Sequence, residues 1–261
     1  MHNIEFYQID AFTDKVFHGN PAAVCILDEW LNDELLKAIA AQNSLAETAF
    51  IIKDKQDFYI RWFSPNGEIS LSGHATLAAG FVLFELGKSQ DDLIVFHHTS
   101  GQFSVAKRKD RVVLNFPRIN YKRNLYPELI ISLLDQPAIE VYESELDYLV
   151  LLENETQVQK LQIDLLGLTK LPKRGIIITS TTTEADFYSR CFYPKYNIAE
   201  DPVTGSAHCI LTPFWSEKLN KTSLHAIQGL HRKGELHCEL NGQRVFITGN
   251  CRWYLQGYLV I

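Results

Sequence analysis

The stretch DFYIRWFSP at residues 57–65 returns as DFYSRCFYP at residues 186–194, with six of nine letters unchanged. Alternation of aromatic and aliphatic side chains with polar ones reads as a strand in both copies. The copies stand 129 residues apart, close to half of the 261-residue chain. A strand repeated at that distance makes the flanks decisive, because internal self-similarity changes the whole fold assignment.

The flanks repeat as well. Ahead of the first copy, NDELLKAIAAQ (32–42) carries Leu35, Leu36, Ile39 and Ala40 at helical spacing, and TAFII (48–52) reads as a short strand. Ahead of the second, ETQVQKLQIDLLGL (155–168) reads as a helix with Gly167 as its stop, and GIIITS (175–180) as the strand. Downstream, LSGHATLAAGFVLFELG (71–87) matches VTGSAHCILTPFWSEKLN (203–220): a hydroxyl residue, a glycine, then a mostly apolar segment of helical length. Hairpins follow in both halves, from Gly101 to beyond Arg111 and from Gly234 to beyond Arg244. The order helix, strand, strand, apolar helix, hairpin thus occurs twice.

Two similar domains follow: residues 1–117 and residues 125–251, with PRINYKRNLYPE (117–128) as the linker. The last strand, within 252–261, can complete either half. Residues 75–86 carry a single charge, so that helix is apolar nearly all round and a sheet must cover it. The second helix, from Ser206 to about Leu219, contains Pro213, which predicts a kink or a modest break. The expected fold is α+β: two pseudo-symmetric domains, each a curved, mainly antiparallel sheet around one central apolar helix.

Composition excludes several function classes. The net charge of −6 gives no basic footprint for nucleic acid, and Lys107-Arg108-Lys109 runs into Asp110 as a turn between strands. The amino-terminal MHNIEFYQIDAF alternates like a strand, and no apolar run reaches the length of a membrane span, which predicts a cytoplasmic protein with no membrane partner. Five cysteines without a C-x-x-C pair predict buried reduced thiols, Cys209 among them, packed in the second long helix. His97 and His98 point to opposite faces of a strand, and His225, His231 and His237 lack metal-ligand spacing, so no metal is expected. No glycine-rich phosphate loop follows a strand, so no nucleotide cofactor is expected.

Function is then sought where two halves of such a chain meet, in a cleft. Ser72 and Thr204 read as N-caps, and Gly73 and Gly205 let a ligand approach the unpaired N–H groups of each first turn, an arrangement that favours an anion. Three ionisable residues stand near these starts. His74 lies two residues after Ser72, Asp201 precedes the second helix start, and Glu47 opens an apolar strand, where burial would raise its pKa and suit it to proton exchange near neutrality.

DAFTDKVFHGNPAAVCIL, LAETAF, SGHATLAAGFVLFE and EDPVTGSAHCILTPFW together resemble the phenazine biosynthesis-like (PhzF-like) family, relatives of diaminopimelate epimerase, from one end of the chain to the other. The resemblance implies the diaminopimelate-epimerase-like fold, a homodimer, and proton transfer without metal or coenzyme. In the best-understood member, which isomerises a dihydroxy-cyclohexadiene carboxylate, a glutamate matching Glu47 moves the proton. Residues matching His74 and Asp201 assist, and the Gly-Ser step matching Gly205-Ser206 contacts the substrate carboxylate. By position Gly73 and Ser72 do likewise at the other helix start, and Asn20, in GNPAAV, is a further polar contact. The chain departs from diaminopimelate epimerase in having no thiol beside the glycine at either helix start, which disfavours a two-thiol racemisation. The resulting expectation is a cofactor-independent isomerase of a small carboxylate-bearing metabolite with Glu47 as general acid/base. The alternative is a small-anion or metabolite-binding protein without turnover.

Overall fold

The computed structural model describes residues 3–261, which fall into two compact units: 3–115 with Ile247–Ile261, and Phe116–Phe246. The first contains β1 (Asn3–Ala11), β2 (Asn20–Leu27), α1 (Asp33–Asn43), β3 (Glu47–Asp54), β4 (Asp57–Ser64), β5 (Gly67–Ile69), α2 (Gly73–Glu85), β6 (Leu93–His98), β7 (Gly101–Arg108) and β8 (Arg111–Pro117), along which the chain leaves it. The second contains β9 (Tyr121–Arg123), α3 (Pro127–Ile131), β10 (Glu140–Ser144), β11 (Asp147–Leu151), α4 (Glu155–Lys160), α5 (Leu165–Thr169), β12 (Gly175–Ser180), β13 (Phe187–Tyr193), β14 (Ile198–Asp201), α6 (Gly205–Leu219), β15 (Ser223–Gln228) and β16 (Gly234–Asn241). The chain returns along β17 (Arg244–Gly249), and β18 (Cys251–Val260) pairs antiparallel with β1.

Both copies of the repeated stretch occupy the same place in their sheets. β4 lies antiparallel to β3 and β5 and parallel to β6; β13 lies antiparallel to β12 and β14 and parallel to β15. Further out, β2 runs parallel to β3 and β11 parallel to β12, while β6–β7 and β15–β16 are antiparallel hairpins. Even the shared arginine keeps its partner. Arg61 makes a forked ion pair with Glu68 of β5, at 2.7 and 2.6 Å, and Arg190 makes one with Glu200 of β14, at 2.9 and 2.7 Å. The α+β, two-fold repeated architecture expected from the sequence is the one observed.

Local chemistry explains the elements. Asn32 caps α1 by accepting from the Leu35 N–H at 2.9 Å, Ser44 ends it in the left-handed region at φ 53°, and Leu36, Ile39 and Ala40 bury its apolar stripe against Phe50 and Phe63. α2 is buried along almost its whole length, as a helix with one charge must be; each of Leu77, Leu83 and Phe84 contributes roughly 1.5–3 kcal/mol by leaving water. α6 runs unbroken through Pro213.

One expected helix differs. Residues 155–168 form two short helices, because Asp164 turns its side chain onto the Gly167 N–H at 2.9 Å and starts a second helix instead of continuing the first. Gly167 therefore lies inside α5 and is not a stop. The five cysteines are buried free thiols, and burial pushes Cys209 up to about 12. No described helix is long and apolar enough to cross a membrane.

Candidate active site

In the first unit, the start of α2 and the start of β3 converge. Ser72, with extended backbone at φ −135° and ψ 119°, caps α2 by accepting from the Ala75 N–H at 3.2 Å, and its own hydroxyl donates to Oε2 of Glu47. The same carboxylate oxygen lies 3.3 Å from Nδ1 of His74. Side-chain exposure falls to 5% for His74 but stays at 15% for Glu47, so the carboxylate is sheltered without being sealed. Parallel pairing brings Glu47 opposite Ala22 of β2, two residues beyond the fully buried Asn20. The β1–β2 loop that presents Asn20 closes on Gly19 at φ +61°, where a Cβ would stand 2.1 Å from the Ala11 carbonyl oxygen, so no other residue fits there without moving the backbone. Asp10 anchors the loop by accepting from the Phe17 N–H at 2.7 Å. Glu47, Ser72, Gly73 and His74 thus form one cluster at the positive end of a buried helix.

In the second unit, the start of α6 is built differently. Thr204 holds the N-cap position but does not cap the helix with its side chain. Its hydroxyl donates to Oδ2 of Asp201 at 2.5 Å and accepts from Nε2 of Gln228 at 3.1 Å, while its N–H donates to Oε1 of Gln228 at 2.9 Å. The sequence predicts a capping threonine; the structure makes Thr204 the holder of Asp201 instead. No side chain therefore competes from the cap for the N–H groups of the first turn, Gly205 and Ser206. Ser206 Oγ accepts from Nη2 of Arg174 at 2.8 Å. Asp201, Gly205 and Ser206 stand together here, as the spacing predicts. Arg174, Asp147 and Gln228, which complete the cluster, carry no motif and reach it only through strand pairing.

Two of the other histidines have ring partners outside both clusters. His98 packs against Trp62 with ring centroids 4.7 Å apart, and His225 stacks on His237 at 4.8 Å. Among the described residues, no group of three or more His, Cys, Asp and Glu is arranged to hold a metal ion. A hollow of about 600 Å³ in the first unit is lined by Lys53, Phe58, Leu83 and Lys88 and by none of the candidate residues, so no chemistry is assigned to it.

Residues 9–257 match the family described as "Phenazine biosynthesis-like protein". An uncharacterized isomerase of Pseudomonas aeruginosa is 42% identical over 256 residues, 98% of each chain. The crystal structure of a PhzF-family phenazine biosynthesis protein of Enterococcus faecalis superposes with a TM-score of 0.95 at 39% identity, over the full length of both chains. A hydroxyproline epimerase of Agrobacterium vitis, 10% identical, covers 99% of this chain and 91% of its own with a TM-score of 0.66, a likeness of fold alone. The chain belongs to the phenazine biosynthesis-like family and is an isomerase of that family.

Proposed function

We propose that the chain shifts a proton on a small carboxylate-bearing metabolite, with Glu47 as the general acid/base and no coenzyme. The observation that carries this reading is the convergence of Ser72 and His74 on one oxygen of Glu47. A carboxylate fixed by a donor on one side and flanked by an imidazole can take a proton from carbon and return it without moving far. Ser72 and His74 orient the carboxylate, and His74 balances the charge that passes through it. The substrate carboxylate is assigned to the first turn of α6, at Gly205 and Ser206, with Gly73 of α2 as the matching position in the first unit and Asn20 as a further polar contact. Asp201, held by Thr204, is the second acid/base group. Backbone N–H groups that meet the substrate carboxylate also stabilise enolate-like charge as it develops. The working form is taken to be a homodimer, the assembly that the family resemblance implies.

Incubation in heavy water with a pool of small carboxylic acids tests the reading. Deuterium appearing in one compound, or a new isomer of it, supports proton transfer. A compound that binds tightly, with neither label nor isomer, contradicts catalysis and favours a binding protein.

A further inference from the structure

The parallel register of β11 and β12 sets Asp147 opposite Gly175, and the preceding residue, Arg174, donates its backbone N–H to Leu146 at 3.0 Å. The Arg174 guanidinium then meets Asp147 as a fork, Nε on Oδ1 and Nη2 on Oδ2, both at 2.8 Å. Asp147 is fully buried, whereas the Arg174 side chain keeps 23% of its exposure. The Tyr193 ring lies 5.0 Å from the guanidinium and fills the space beside Gly175, where a Cβ would stand 2.2 Å from the ring. A carboxylate fork and an aromatic floor hold the guanidinium plane in one orientation. In that orientation Nη2 also reaches Ser206 Oγ, at 2.8 Å.

A guanidinium has only donors, so Ser206 accepts in this contact and its own O–H is left to donate elsewhere. Ser206 is the second residue of α6, partly exposed, beside a cap residue whose hydroxyl is committed to Asp201. We propose that Arg174, fixed by Asp147, is a positioning residue that commits the Ser206 hydroxyl to donate to an anionic oxygen of the substrate. The selectivity that follows is a preference for an acceptor such as a carboxylate oxygen, because Arg174 takes one of the two acceptor sites of the hydroxyl and leaves its one donor free. This inference rests on the assignment of the substrate carboxylate to the first turn of α6.

The test is an NMR titration of the full chain with sodium acetate, sodium benzoate and sodium sulfate, with the amide signals of Gly205, Ser206 and Ala207 as reporters. The variants are Ser206→Ala, Arg174→Lys, the pair Arg174→Met with Asp147→Leu, and that pair combined with Ser206→Ala. The paired change removes both charges, so no buried aspartate is left alone, and its melting temperature should stay near that of wild type. Lysine keeps a charge beside Asp147 but loses the second arm of the fork. Wild type should bind, and Ser206→Ala, Arg174→Lys and the pair should each weaken binding by about tenfold. Adding Ser206→Ala to the pair should weaken it no further, because Arg174 acts through Ser206. Losses that add, or wild-type affinity in both Arg174→Lys and the pair, overturn the inference and leave the proposed function standing. Wild type showing no shift at these amides with any of the three anions overturns the carboxylate assignment, and the inference with it.

Discussion

Oε2 of Glu47 stands 3.3 Å from Nδ1 of His74, although the two residues come from different elements, the first residue of β3 and the first turn of α2. Ser72 completes the contact from the N-cap position, where one hydroxyl accepts from the helix and donates to the carboxylate.

Replacing Ser72 by alanine should therefore act on stability and chemistry together. Loss of the cap lowers stability by about 1 kcal/mol, read as a shift of the urea midpoint. Proton exchange should fall by at least about tenfold, because Glu47 loses a donor that orients it. A shifted midpoint with unchanged exchange would reduce Ser72 to a structural cap.

The two matched arginines should differ in weight. Arg190 is 6% exposed, and besides Glu200 its Nη1 reaches the Val158, Gln159 and Leu161 carbonyl oxygens at 3.0–3.3 Å. Arg190→Met leaves those carbonyls and the Glu200 carboxylate without their donor and should lower stability by about 3–5 kcal/mol. Arg61, with 19% of its side chain exposed and its partner Asp33 at 75%, belongs to a wetter network. Arg61→Met should cost no more than about 1 kcal/mol in the same urea experiment.

Acid stability should carry the mark of His208. This side chain is fully buried, its Nδ1–H donates to the Thr204 carbonyl oxygen at 2.9 Å, and burial pushes its pKa down to about 4. The unfolded chain, with an ordinary histidine pKa near 6.5, binds this proton first as pH falls, so between about pH 6.5 and 4 the unfolded state holds more protons. Stability therefore drops as pH falls through that window, by roughly 3 kcal/mol in all from this group. His208→Gln should flatten that part of the plot of melting temperature against pH. An unchanged slope would place the acid sensitivity elsewhere.

The repeat was legible because it is written in strictly local terms: a strand of alternating side chains, a hydroxyl and a glycine before an apolar helix. Glu47, His74 and Asp201 could be singled out as candidates because each lies within a few residues of such a signal. The role of Thr204 was not legible, because a threonine before Gly-Ser reads as a cap in any sequence, and only the folded chain brings Asp201 and Gln228 to its hydroxyl. Arg174 was hidden for the same reason. In LPKRGIIITS it is one more basic residue before a strand, and its pairing with Asp147 depends on a parallel register between strands 24 residues apart, Leu151 to Gly175. The split of residues 155–168 turned on Asp164, whose side chain favours a cap over a helix interior but meets its partner, the Gly167 N–H, only in the folded chain.

The central claim, that Glu47 carries the proton, is tested most directly by comparing wild type with Glu47→Gln in heavy water, reading deuterium and new isomers in a pool of small carboxylic acids by mass spectrometry. Glutamine keeps the size and an acceptor for Ser72 but cannot exchange a proton as a base. Label or isomer with wild type, and a rate at least about 100-fold lower with Glu47→Gln, is the predicted result. Equal labelling by the two proteins would contradict it and move the acid/base role to another residue.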